Sequence, residues 1–183
     1  MKKTNIHYNI AEKGKVFAIV SNHKEALRHY KEAMRMCQSL PHSDIFFQHY
    51  SLCAMESLEK MKAFEEVISY CDKCLDFLAE KEELQEQEMF QKYVASIIER
   101  KGIQHLYLDE KQEAIACFKE AQQLVDKKQI PLTNDLLNWC LRGYAITPKQ
   151  IEDLQKKHNY FTVRKDNINH EIAIELPEMV SPF

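Results

Sequence analysis

Apolar residues recur along most of this chain at steps of three and four, the spacing that keeps them on one face of a helix. The clearest run is Phe64, Val67, Ile68, Cys71, Leu75 and Leu78, which predicts an amphipathic helix facing a core. A tighter register lies inside three such runs: Ala26, Tyr30, Ala33, Met34; Val67, Cys71, Cys74, Leu75; and Ala114, Phe118, Ala121. In each, a small residue is followed by a larger one four positions on and a small one three after that. Such a stripe marks where a second helix approaches closely. Its recurrence predicts an all-α array of stacked helical hairpins, an architecture used more for binding than for catalysis.

The first hairpin begins near Asn9 and passes Ile10, Gly14 and Phe17 before a turn at Ser21, Asn22 and His23, where Ser21 or Asn22 caps the second helix. That helix ends before Ser39-Leu40-Pro41, because proline removes a helix donor and restrains the residue before it. The second hairpin opens at Ser43 or Asp44 with an aromatic-rich helix (Phe46, Phe47, Tyr50) and breaks at Lys60-Met61-Lys62. The third follows the charged stretch 80–88, with a long helix from Phe90 to Gly102 and a partner helix from Ala114 to Leu124.

Gly14, Phe17, Ala26, Tyr30 and Ala33, echoed by Gly102, Ala114, Phe118 and Ala121, carry a family likeness. Over residues 8–126 the chain resembles tetratricopeptide repeat proteins. It departs from them at His105, where an aromatic follows the glycine in the family, and in the second hairpin, where Met55 replaces the glycine. Equivalent positions 26, 67 and 114 are also further apart than the ~34 residues of the standard unit. The resemblance implies a solenoid of about three repeats whose first helices line a concave, peptide-binding groove. Mapped by register, that groove holds Tyr8, Ala11, Lys15, Ala18 and Ile19, then His49, Leu52, Glu56 and Lys60, then Ser96, Glu99, Ile103 and Tyr107. Some family members grip a terminal carboxylate with Lys, Asn and Arg. Here Ala11 and Glu56 stand at two of those positions and only Arg100 fits, which disfavours that specificity. Longer-period arrays also resemble bacterial regulators that read signalling peptides.

Residues 127–183 change in character. Thr133 or Asn134 is positioned to cap a short helix holding Leu136, Leu137, Trp139, Cys140 and Leu141, which Gly143 ends. Thr147-Pro148 starts another helix, through Ile151 and Leu154 to about His158. Beyond it, 160–163 and 171–176 read as two strands around the turn-rich 166–169, predicting a short β-hairpin tail. These elements suit a cap on the last repeat. Their order also matches a winged helix, with Lys149, Gln150, Lys156, Lys157 and Asn159 facing DNA and Arg164 and Lys165 on the wing; Glu152 and Asp153 in the would-be reading helix oppose that alternative.

Composition narrows the classes further. The 183 residues include only three glycines and five prolines, so helices run uninterrupted. The net charge of -3 divides into -4 over residues 1–126 and +1 over the rest, without the basic excess that coating a phosphate backbone requires. Nucleic acid is thereby an unlikely partner. No secretory leader or bilayer-spanning run is evident, and a cytoplasmic protein is expected. The six cysteines (Cys37, Cys53, Cys71, Cys74, Cys117, Cys140) then read as free, mostly buried thiols. Cys71 and Cys74 have a metal-like spacing, but no second pair accompanies them and both fall on the packing register. Neither a metal nor another cofactor is expected. With eight histidines in no two-His motif and no glycine-rich phosphate loop, no enzyme is indicated. The expected function is a protein–protein interaction module: an adaptor, a chaperone-like scaffold or a peptide-responsive regulator. The DNA-binding regulator is the alternative.

Overall fold

The computed structural model describes residues 6–40 and 44–176. These form eight α-helices: α1 (Ile6–Ile19), α2 (His23–Cys37), α3 (Asp44–Lys60), α4 (Phe64–Ala79), α5 (Glu88–Tyr107), α6 (Lys111–Leu124), α7 (Pro131–Leu141) and α8 (Pro148–Lys157). Single 3-10 turns occur at Glu82–Leu84, Lys127–Gln129 and Lys165–Asn167. The chain is all-α, and no strand forms among the described residues. None of these helices is long and apolar enough to cross a membrane.

Local chemistry accounts for most boundaries. Asn22 caps α2, its side chain accepting from the Glu25 amide. Thr147 and Gln150 form a reciprocal capping box at the start of α8, with Pro148 in the first turn. Gly143, at φ +75°, follows the end of α7. That helix starts at Pro131, earlier than the expected cap at Thr133 or Asn134, because proline at the first helical position has no amide to satisfy. Thr133 lies inside the first turn instead.

The turns α1–α2, α3–α4 and α5–α6 share one backbone solution. Ser21, Lys62 and Asp109 are left-handed, at φ 63°, 60° and 61°. The following residues, Asn22, Ala63 and Glu110, adopt nearly the same φ/ψ pairs (-87°/66°, -83°/57° and -93°/67°). Left-handed geometry disfavours residues with a Cβ, so a shared exception at three non-glycine positions marks a common turn design.

Contacts group the chain into two compact units. The first takes in residues up to Lys62 together with those from Thr162 on; the second is Ala63–Phe161. α7 and α8 belong with α4–α6, and residues 162–176 with α1–α3.

In the first unit, α1 packs along α2 and α2 along α3, with α1 also touching α3. Ala26, Tyr30, Ala33, Tyr50 and Cys53 are fully buried at its centre. In the second, α4 meets α5, α5 meets α6, and α7 extends the stack from α6 to α8. Ile103, Phe118, Leu136 and Ile151 are fully buried there. One detail is repeated in both units. A Cβ on Gly14 would lie 2.6 Å from the Tyr30 ring, and one on Gly102 would lie 2.7 Å from the Phe118 ring. Each glycine lets an aromatic of the second helix press against the backbone of the first.

Candidate functional site

The residues expected to pair as strands do something else. From Thr162 to Leu176 the chain runs without regular structure, apart from one 3-10 turn, and packs on α1, α2 and α3. Five of its amides, those of Thr162, Val163, Asn169, Ile174 and Leu176, bond to side chains and a carbonyl of those helices, and no ladder forms between 160–163 and 171–176.

Glu56 of α3 anchors one end. Its carboxylate accepts from the amides of Thr162 (2.7 Å) and Val163 (3.2 Å). On α1, Asn9, Glu12 and Lys13 follow helical spacing and serve the other end. Glu12 accepts from the Asn169 amide (2.7 Å) through one carboxylate oxygen, and its other oxygen holds Lys15 Nζ at 2.7 Å. The Asn9 carbonyl accepts from the Ile174 amide (3.0 Å), and Lys13 pairs with Glu175 (3.0 Å). On α2, His29 accepts from the Leu176 amide through Nε2 (3.1 Å), while Arg28 donates to the Leu176 carbonyl (3.4 Å). Val163 is buried in the unit's core, with Ile168 and Leu176 packed against it. Asn167 closes the bend by donating to the Thr162 carbonyl and accepting from the Arg164 amide.

The electrostatics follow from burial. His29 Nδ1 faces the Glu25 carbonyl, an acceptor only, so that nitrogen carries the proton and Nε2 is free to accept from Leu176. Burial holds the His29 pKa below its ordinary value, which keeps the ring in this neutral form. His7, His23 and His49 of the same unit are shifted down for the same reason, with Lys60 adding to the effect at His23 and Lys15 at His49. The Tyr30 phenol is pushed up by burial and then by Cys53, Glu56 and Glu12, and its oxygen has no hydrogen-bond partner among the described residues. Glu12 and its ion-pair partner Lys15 are both buried (0 % and 5 % exposed). A buried carboxylate needs donors on both oxygens, and the docked segment supplies one of them.

The groove positions read from the sequence are distributed between the two units. In the first, Glu56 contacts the docked segment directly and Lys15 does so through Glu12. Tyr8 is half-buried beside the Phe46 ring (6.4 Å), His49 lies 3.8 Å from the Cys53 sulfur, and Ile19 and Leu52 are half-buried. In the second, most α5 positions meet neighbouring elements of that unit. Glu99 accepts from the Thr133 amide (3.1 Å) and hydroxyl, and burial pushes its carboxyl pKa up. The Arg100 guanidinium stacks 4.5 Å over the Tyr160 ring. Tyr107 donates to Gln155 (3.1 Å) and stacks on Phe64 at 4.6 Å. Ile103 is fully buried, and Ser96 donates to the Tyr93 carbonyl in its own helix.

Glu12, His29, Asn9 and Arg28 were not readable as site residues. A buried glutamate in α1 has the same sequence signature as a solvated one, and only its contact with a segment 157 residues away distinguishes it. Lys149 and Lys157, assigned to a DNA-facing surface in the winged-helix alternative, pair with Asp153 and Asp135. The would-be wing is the segment docked on α1–α3. No disulfide joins any of the six cysteines; Cys71 is buried, and burial raises the Cys74 thiol to about 11, which keeps it protonated and poorly nucleophilic. Among the described residues no three His, Cys, Asp or Glu side chains converge as a metal site requires. The chain matches no protein-family model, no curated protein and no solved structure.

Proposed function

We propose that this is a cytoplasmic protein-interaction module built from tetratricopeptide-type hairpins, whose chemistry is the capture of an extended polypeptide on the α1–α3 face. One observation carries the reading: residues 162–176 are held there through their backbone amides, by buried acceptors aligned along the segment. Backbone capture with apolar side chains set into a helical surface is a general mode of peptide recognition. The glycine-on-ring contacts at Gly14 and Gly102 and the matched left-handed turns support the repeat assignment. Six cysteines that form no disulfide suit a reducing compartment. The role is adaptor, scaffold or peptide-responsive regulator, with no chemical step.

The test is titration of the full chain with fluorescently labelled extended peptides, among them one with the sequence of residues 160–176, followed by anisotropy. Saturable binding that Glu56→Ala weakens at least tenfold supports the reading. Absence of saturable binding up to millimolar peptide, in a folded sample whose own segment has been weakened by substitution, refutes it.

A further inference from the structure

Resting on that reading, we infer that residues 162–176 are a resident, displaceable ligand of the α1–α3 face. They hold it closed against a protein segment of similar chemistry supplied in trans. The contacts themselves define that chemistry. The face accepts four kinds of feature: amides at the places of Thr162, Val163 and Asn169, met by carboxylates; amides at the places of Ile174 and Leu176, met by a carbonyl and an imidazole; aliphatic side chains at the places of Val163, Ile168 and Leu176; and an acid at the place of Glu175, met by Lys13. The fitting partner is an extended, unstructured stretch of protein with aliphatic residues at those spacings and an acidic residue before the last of them.

Two properties make the segment replaceable. It contributes no helix beyond one 3-10 turn and no strand ladder, so it shares no regular backbone hydrogen bonding with the helices it lies on; such segments open below the global unfolding free energy. The connection into it begins just after α8, where Asn159 takes a left-handed φ of 51°, and none of the amide contacts requires the segment to be joined to that helix. The face also does not tolerate vacancy well. Glu12, fully buried with the segment in place, loses a donor when it leaves, so an incoming chain that restores the amide is favoured over an empty face.

The experiment uses the full chain and a labelled peptide spanning 160–176. Wild type is compared with V163D/I168D, which weakens the resident segment and leaves the face unchanged, and with V163D/I168D/E56A. Wild type is expected to bind weakly, the double variant at least tenfold more tightly, and the triple variant to lose that gain. Peptides carrying E175K or L176D are expected to bind the double variant several-fold less well. Equal affinity of wild type and double variant overturns the inference while leaving peptide capture intact, whereas no binding to either overturns peptide capture itself. If the double variant does not fold, hydrogen exchange of the wild-type 162–176 amides is followed at rising peptide concentration; acceleration supports displacement and its absence at saturation overturns it. A concentration-dependent dimer formed by exchange of the segment between copies, without uptake of free peptide, also overturns it.

Discussion

Replacing Glu56 by Gln isolates the contribution of one carboxylate to the docked segment. Glu56 is 6 % exposed and receives the Thr162 amide at 2.7 Å and the Val163 amide at 3.2 Å through one oxygen, with the other oxygen 3.4 Å from the Val163 amide. Glutamine with its carbonyl oxygen in the place of the first can still accept from both amides, but as a neutral acceptor, and its NH2 group stands where the second oxygen stood. A hydrogen bond to a charged group contributes about 1.5–3 kcal/mol and is roughly twice as strong as a neutral one. Losing the charge component of both bonds costs about 1.5–3 kcal/mol for the docked state. At 1.36 kcal/mol per decade this corresponds to a rise of about 10- to 150-fold in the local opening constant. Hydrogen exchange read by NMR or mass spectrometry on residues 160–176 measures it, with α5 and α6 amides as the internal control. The expected pattern is fast exchange confined to the segment. Unchanged protection at Thr162 and Val163, or loss of protection throughout the chain, refutes the assignment of Glu56 as a local anchor.

Three further outcomes are expected. Each of His7, His23, His29 and His49 is held below its ordinary pKa of 6.5 by burial, so below about pH 6.5 the unfolded chain binds more protons than the folded one and stability falls as pH drops. Glu99 acts in the opposite sense, since its raised pKa gives stability that is lost as pH rises through the folded value. Thermal unfolding at pH 7.5, 6.5 and 5.5 should show a falling Tm that is shallower in His29→Gln, and equal Tm values would contradict the neutral-histidine reading. Gly14→Ala and Gly102→Ala should each destabilise by about 1–3 kcal/mol in urea titration, because a Cβ inside 3 Å of a buried ring outweighs the better helix propensity of alanine; the loss at Gly102 should shrink in a Phe118→Leu background. Tyr30→Phe removes a buried hydroxyl that lacks a partner among the described residues, so stability should hold or rise by up to about 1 kcal/mol, and a loss greater than that would show that the hydroxyl is paired.

The helices were legible because their cause is local. Steps of three and four in the apolar residues locate α1 to α6, Asn22 and Thr147-Pro148 announce caps, and Gly14 and Gly102 announce close approaches that the side-chain contacts then realise. Ser21, Lys62 and Asp109 were not legible as left-handed residues, since nothing in Ser, Lys or Asp demands that conformation. The tail shows the other limit. Alternation through Ile172 and Ile174 signals a strand with one buried face, yet no strand forms there and Ile174 is exposed. Alternation does not say what the amides will bond to.

The amino-acid order alone therefore determined the helical class and the small-residue stripes, which depend on neighbours within a few turns. It placed Glu56 and Lys15 on a candidate face but left Glu12, Asn9 and His29 unmarked. Tertiary structure decided which acceptors meet the last residues, through contacts that span 106 positions (Glu56 to Thr162) to 165 (Asn9 to Ile174). It also decided that α7 and α8 pack on α5 and α6 while the segment after them returns to α1–α3. The physical reason is that an amide leaving water must find an acceptor, and a strand ladder and a pair of buried carboxylates satisfy it equally well; only the three-dimensional chain determines which is within reach.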